Sequence, residues 1–250
     1  MIKNPNDIVD KLVEEITAVY GERLLSVIMY GSAVTHEFRP GKSDVNITLV
    51  LTDTSIAAIQ EGLPVLTRWL RRGIAAPLFM TPEYIESSLD AYPIEFLDMK
   101  YSYRVLTGDD YLAKVNLKKR DLRLQCEREL RGMVIHLKKG FVSSAEKPKY
   151  LYEILMVATR TLLPLFRAIL VLFERKIPNS KAEIIADVED LFGFGVSVLS
   201  VVFNNSQSKK TEVCDLYRQF TGIVESILEK IDQLNEDQSN PQAIPSTSNS

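Results

Sequence analysis

The spacing of apolar and polar residues predicts alternating helices and strands over the first hundred residues. Apolar positions recur every three or four residues after Asn6 or Asp7, which predicts a capped helix ending at Gly21. The apolar run Leu24–Tyr30 predicts a buried strand, and Asp44–Leu51, which is rich in β-branched residues, predicts a second. The later predicted elements are strands at Ala75–Met80, Pro93–Lys100 and Arg104–Thr107, with helices at Thr54–Trp69 and after Thr81-Pro82. This alternation predicts an α/β mixed sheet domain over residues 1–110.

The pattern changes after Gly108, because no convincing strand remains and helical spacing dominates. The predicted helices are Leu117–Val142, Tyr150–Glu174, Lys181–Phe192, Gly195–Phe203 and Thr211–Leu234, with a polar loop at Asn204–Lys210. Residues 111–234 are therefore expected to form an all-α helical bundle domain. Residues 235–250 are rich in Asn, Ser, Pro and Gln and predict a disordered tail.

Composition narrows the possible classes of protein. The chain has 250 residues, is 46% hydrophobic and 25% charged, and carries a net charge of −3, which gives no case for general nucleic-acid binding. No secretory signal begins the sequence, and the apolar stretch Leu162–Phe173 is interrupted by Arg167 and too short to span a bilayer. Cys126 and Cys214 fit no metal-binding spacing and are expected to be reduced thiols. A soluble, cytoplasmic protein is expected.

The most informative stretch lies between the first two predicted strands. The first strand runs into Gly31-Ser32, a turn at which backbone amides can approach a phosphate group. Asp44 and Asn46 then stand two positions apart on the second strand, so their side chains point the same way. This order favours a site for a nucleoside triphosphate.

Transfer of a nucleotide by two Mg²⁺ ions needs carboxylates that hold both ions. Asp44 can supply the first, but Asn46 offers only a neutral carbonyl oxygen. A third carboxylate is expected from the strand predicted at Pro93–Lys100. On a strand Glu95 and Asp98 would face opposite sides, so only one can line the site, and Glu95 is favoured.

These residues resemble the signature of the nucleotidyltransferase (DNA polymerase β-like) superfamily. In that signature, Gly followed by Gly or Ser ends one strand. The next strand opens with Asp, a hydrophobic residue, Asp or Glu, and a second hydrophobic residue; here these four positions are Asp44-Val45-Asn46-Ile47. The match covers residues 24–51, and the order of sheet domain and helices is similar to that of the bacterial antibiotic and minimal nucleotidyltransferases. The resemblance implies that Gly31 and Ser32 contact an NTP, with ATP expected, and that Asp44 and Glu95 bind Mg²⁺.

Other charged residues have two interpretations each. Arg39 and Lys42 either neutralise phosphates as nucleotide-binding residues or lie solvated in the loop. His36 is interpreted as a surface residue in preference to a general base. Arg128 and Arg131 favour a helix face with ion pairs, with phosphate contact as the alternative.

Two functional hypotheses remain open at this stage. The first is an enzyme that transfers a nucleoside monophosphate from Mg-NTP to a hydroxyl of a small molecule or a protein. The second is a catalytically weak or inactive member that binds a nucleotide or a protein partner. The neutral Asn46 favours the second, whereas Gly31, Ser32, Asp44 and Glu95 together favour the first. The sequence identifies neither the acceptor nor the oligomeric state.

Overall fold

The computed structural model describes residues 2–193, 198–203 and 210–234, and the chain divides into two compact units after Asn116. The first unit is a mixed sheet with helices, and the described part of the second is helical. The fold class expected from the sequence is therefore confirmed. The tail predicted at 235–250, the loop predicted at 204–209 and the predicted helical residues 195–197 lie outside the described residues.

The sheet unit opens with a short 3₁₀ turn at Pro5–Ile8, which Asn4 caps by accepting a hydrogen bond from Asn6 N. Its elements are α1 (Val9–Tyr20), β1 (Leu24–Tyr30), β2 (Asn46–Leu51), α2 (Ile56–Leu70), β3 (Leu78–Met80), α3 (Pro82–Ser88), α4 (Pro93–Tyr101) and β4 (Tyr103–Gly108).

The four strands lie in the order β3-β2-β1-β4, with β1 antiparallel to both β2 and β4 and with β2 parallel to β3. Because both neighbours of β1 run against it, the end of β1 meets their beginnings. Tyr30 is opposite Asn46 on one side and opposite Tyr103 on the other. The topology therefore places the start of β2 beside the Gly31 turn.

One face of the sheet is buried by α1 and α2. This core contains Leu12 and Ile16 from α1, Leu66 and Trp69 from α2, and alternate residues of the two central strands: Val27, Met29, Val45, Ile47, Leu49 and Leu51. Trp69 is 2% exposed, and its indole N–H donates to Glu15 Oε2 at 2.7 Å. The pKa of the Glu15 carboxyl group is lowered, mainly by a hydrogen bond from Arg68.

The prediction of a strand at Pro93–Lys100 is wrong, because these residues form the helix α4. Pro93 occupies the first helical turn, where its missing N–H costs nothing, and Glu95 is the acidic residue of that turn. Ile94, Phe96, Leu97 and Met99 are all buried, so the segment is apolar on most sides. A short run of this kind fits a buried strand and a buried helix equally well.

The second expected strand, Asp44–Leu51, begins two residues later than predicted. Regular pairing starts at Asn46, and Val45 forms a single parallel bridge with Ile74. Val45 N donates to Gly73 O at 3.3 Å, and Ala75 N donates to Val45 O at 3.0 Å. Asp44 therefore lies just outside the sheet. The strand expected from Ala75 is likewise shorter and covers only Leu78–Met80.

The helical unit contains α5 (Lys119–Ser144), α6 (Pro148–Leu172), α7 (Lys181–Phe192), α8 (Val198–Phe203) and α9 (Lys210–Asp232). α5, α6 and α9 contact one another, and α6 also contacts α7 and α8. The Tyr217 hydroxyl donates to Leu137 O at 2.7 Å and ties α9 to α5. Burial raises the pKa of Tyr217 to about 12.

α6 bends by 46° between Thr159 and Thr161. The ring of Pro164 meets the carbonyl of the residue four positions earlier, which accounts for a bend at that point. No single helix within 2–193, 198–203 and 210–234 is long and apolar enough to cross a membrane; the two halves of α6 reach that standard only together.

Candidate functional site

The candidate site is built around the turn that follows β1. Residues Val27–Met29 are almost fully buried, which fixes the strand in the middle of the sheet. Gly31 leaves the strand with φ +74, a left-handed conformation that favours glycine. Its N–H donates to Ser102 O at 2.8 Å, and the chain then makes a 3₁₀ turn at Gly31–Val34. The turn is thus held between β1 and the start of β4.

Asn46 lies directly against this turn. It pairs with Tyr30 across the sheet, and its Nδ2 is 3.2 Å from the place that a Cβ on Gly31 would occupy. The adjacency of Gly31 and Asn46 that the motif implies is present in the structure. Glycine is the residue that permits this contact, because any side chain at 31 would press on the Asn46 amide.

Asn46 lies on the side of β2 away from the α1/α2 core, and Asp44 precedes the strand. Val45 between them is fully buried, whereas Asp44 is exposed and Asn46 is half-buried. The Asp44 carboxylate has no hydrogen-bond or ion-pair partner among the described residues. This exposed carboxylate, two positions before Asn46, is available to a cation.

Arg39 and Lys42 lie in a compact, exposed loop between the turn and β2. Lys42 N and Ser43 N both donate to Arg39 O, at 3.0 and 2.9 Å, and Arg39 N donates to Ser43 Oγ at 3.1 Å. Neither cationic side chain has an ion-pair partner within the described part of the chain. Their role as phosphate-binding residues stays a prediction.

The location of Glu95 and Asp98 on a helix removes the reason for choosing between them by strand geometry. Three positions apart on α4, they occupy neighbouring places on the helix surface. Glu95 is exposed and Asp98 is half-buried, and α4 contacts the Gly31–Val34 turn. Burial raises the pKa of Tyr30, and the charge of Asp98 raises it further, so Asp98 acts on the end of β1. Glu95 as a metal ligand stays a prediction.

The start of β4 holds a second set of polar contacts that the sequence analysis did not identify. The Tyr103 hydroxyl donates to Asp110 Oδ2 at 3.0 Å, and Ala113 N donates to Asp110 Oδ1 at 2.8 Å. Burial, with this hydrogen bond, raises the pKa of Tyr103 to about 12. Lys100 Nζ donates to Val115 O at 2.7 Å, and burial lowers the pKa of its amine. These contacts fix the segment after β4.

The donor set fits one divalent ion better than two. No cluster of three His, Cys, Asp or Glu side chains that could hold a metal occurs among the residues the structure describes. Asp44 provides one carboxylate, two positions before Asn46, and Asn46 adds only a neutral amide. Mg²⁺ commonly binds through one or two carboxylates together with phosphate oxygens, so Asp44 fits a single ion that arrives with a nucleotide.

The charged face of α5 contains ion pairs, as its sequence favoured. Arg131 pairs with Glu127 at 2.8 Å and with Asp232 at 3.0 Å, and Arg123 pairs with Glu127 at 3.1 Å. Arg128 reaches Glu129 at 3.6 Å. The two cysteines are free, and burial raises the pKa of the Cys126 thiol.

Comparison with known proteins reveals a similarity of structure. No protein-family model matches the chain, and no curated protein matches it. Among solved structures, the chain is similar to spectinomycin adenyltransferase AAD(9) from Enterococcus faecialis, crystallised with ATP and spectinomycin. The TM-score is 0.47 and the identity 11%, over 90% of this chain and 99% of that one.

Proposed function

We propose that this chain binds a nucleoside triphosphate at the Gly31–Val34 turn and transfers its nucleoside monophosphate slowly or not at all. The observation that carries the proposal is the contact between Gly31 and the Asn46 amide, with the unpartnered Asp44 carboxylate two positions before Asn46. The nucleotide is expected to be ATP, by the family resemblance of the motif.

The turn offers a surface suited to phosphate oxygens. Gly31 has no side chain to keep a ligand away from the backbone. The Ser32 hydroxyl has no hydrogen-bond partner among the described residues and is free to donate. Arg39 and Lys42, in the following loop, carry cationic charge without ion-pair partners in the described chain, which favours an anionic ligand.

Metal binding is expected to be weak. A bound Mg²⁺ ion would neutralise charge on the phosphates and stabilise the leaving pyrophosphate. Asp44 would hold such an ion together with phosphate oxygens. Asn46 lacks the negative charge that a second nearby cation requires, and this is why we expect slow transfer. Each tenfold loss of rate corresponds to about 1.4 kcal/mol of transition-state stabilisation.

The presence of Gly31, Ser32 and Asp44 together in the motif supports the active enzyme as the second candidate function. In that case the acceptor would be a hydroxyl of a small molecule or of a protein, and Asn46 would be a tolerated substitution.

Pyrophosphate release separates the two candidates. The assay would compare the unmodified protein with Asn46→Asp and Asn46→Ala, in the presence of Mg²⁺ and of Mn²⁺. Labelled ATP would be the donor, and the acceptors would be the protein itself and hydroxyl-bearing small molecules. Asn179→Asp, an exposed change of the same chemistry in the helical unit, is the matched control.

We expect little release by the unmodified protein, and a gain in metal affinity or turnover only for Asn46→Asp. Fast release by the unmodified protein, undiminished in Asn46→Ala, would show that Asn46 is not at the reacting centre.

A further inference from the structure

A cavity of about 550 Å³ lies in the sheet unit on the β4 side of the Gly31 turn. Three segments line it: the N-terminal residues 3–6, the loop residues 33–36, 38 and 40, and the first two residues of β4. Pockets for small molecules range over about 300–1,000 Å³, so this one accommodates a ligand of one or two rings. Gly31, Ser32, Asp44 and Asn46 are not among its lining residues.

The cavity is cationic. Lys3, His36 and Arg104 line it, and none of the described residues that line it is acidic. These three side chains have no hydrogen-bond or ion-pair partner among the described residues. Because the whole chain carries a net charge of −3, the local positive charge of Lys3 and Arg104 favours an anionic ligand.

The walls are flat and held in place. Phe38 and Tyr103 supply aromatic rings, and the Tyr103 hydroxyl is fixed by its hydrogen bond to Asp110. Thr35 fixes the loop, because its hydroxyl donates to Ser32 O at 3.2 Å and accepts from Glu37 N at 3.2 Å. Walls that are already ordered lose little freedom when a ligand binds, which raises affinity.

We propose that this cavity is a second ligand site, for a small organic anion with a planar ring. The anionic group, a phosphate monoester or a carboxylate, contacts Arg104 and Lys3, since a guanidinium binds either oxyanion through two parallel hydrogen bonds. The ring packs against Phe38 and Tyr103. Ala33 and Val34 of the nucleotide-binding turn also line this cavity, so the two sites adjoin. Gly31, Ser32 and Asp44, which are proposed to bind the nucleotide and its metal ion, do not line it, and anion binding in the cavity does not depend on them.

Calorimetric titration of the full chain with phenyl phosphate, benzoate and neutral benzyl alcohol tests the proposal. We expect binding of at least one anion, with benzyl alcohol weaker by about tenfold or more, because hydrogen bonds to charged groups are the stronger ones. The relative affinity of phenyl phosphate and benzoate identifies the preferred oxyanion.

Variants locate the site. Arg104→Gln and Lys3→Gln should each weaken anion binding by about tenfold. Arg71→Gln, an exposed arginine at the end of α2, is the matched control and should leave binding unchanged. Ser32→Ala should also leave it unchanged, which distinguishes this site from the nucleotide site. Fluorescence of Trp69 verifies that each variant is folded.

Three results would overturn the proposal. The first is absence of binding of both anions at about 10 mM. The second is equal binding of benzyl alcohol, which would show that charge plays no part. The third is a loss in Arg71→Gln as large as that in Arg104→Gln, which would indicate unspecific attraction to the surface.

Discussion

Replacement of Gly31 by alanine tests the contact on which the proposed function depends. At φ +74 an L side chain costs about 1–2 kcal/mol. The new Cβ would also stand 3.2 Å from Asn46 Nδ2, closer than ordinary van der Waals contact. Overpacking at a half-buried residue adds about 1 kcal/mol, the lower end of the range for cores. We therefore expect Gly31→Ala to lower the free energy of unfolding by about 2–3 kcal/mol.

Gly21→Ala is a control in the same unit for alanine at a positive φ. Gly21 has φ +54 and ψ −130, and no heavy atom lies within 4 Å of its added Cβ. This variant therefore has a backbone cost without a contact, but in a conformation outside the left-handed helical region. The contact with Asn46 is for that reason measured as the difference of about 1 kcal/mol between the cost of Gly31→Ala with Asn46 present and its cost with Asn46 replaced. Asn46→Ala introduced into Gly31→Ala should recover that difference, since it removes the crowded amide.

Urea unfolding followed by Trp69 fluorescence provides the free energies. Trp69 is the single tryptophan of the chain and is buried in the core of the sheet unit, so it reports on the unit that contains Gly31. A coupling of about 1 kcal/mol exceeds the scatter of about 0.3–0.5 kcal/mol between independent sites. No recovery of stability in the double variant would show that Gly31 and Asn46 are not in contact.

Two further predictions concern the sheet unit. Gly62→Ala should destabilise it by about 1–3 kcal/mol, because the new Cβ would overlap the buried Tyr20 hydroxyl. Gly132 is a glycine of α5 with open space around it, so Gly132→Ala should instead raise the free energy of unfolding by about 0.5–1 kcal/mol. Thermal unfolding compares the two variants, and a gain in stability at both positions would contradict the Tyr20 contact. The raised pKa of Tyr103, about 12 against 10.0 ordinarily, stabilises the folded state fully below pH 10, and this contribution is lost as the pH rises through about 12. The free energy of unfolding should fall less steeply over this range in Tyr103→Phe than in the unmodified protein, and equal slopes would refute the assignment.

The sequence predicted the elements that carry clear local signals. β1 was expected at Leu24–Tyr30 and is found there, because a buried strand between a glycine-ended helix and a glycine turn has few alternatives. α7 was expected at Lys181–Phe192 and is found there; Ser180 and Glu183 form a capping box. α3 begins after Thr81 with Pro82 in its first turn, as its composition indicated.

Burial on several sides hides the helical periodicity of the segment that forms α4. Pro93 occupies the same place in α4 as Pro82 does in α3, and this signal could have identified the helix. The residues that follow Pro93 are apolar on most sides of the helix, and a short apolar run of this kind also favours a strand. The choice of Glu95 over Asp98 depended on that strand, and the influence of Asp98 on Tyr30 could be found only from the folded structure. The cavity at Lys3 and Arg104 joins segments a hundred residues apart, which no local pattern shows.

Calorimetric titration with Mg-ATP and the other Mg-NTPs tests the central claim, binding of a nucleoside triphosphate beside Gly31, most directly. We expect measurable binding by the unmodified protein, weakened by about tenfold or more in Asp44→Ala and reduced in Ser32→Ala. Asp90→Ala, which removes an exposed carboxylate elsewhere in the sheet unit, should bind as the unmodified protein does. Absence of binding for every NTP at about 1 mM, or equal binding by Asp44→Ala and Asp90→Ala, would contradict a nucleotide site at this turn.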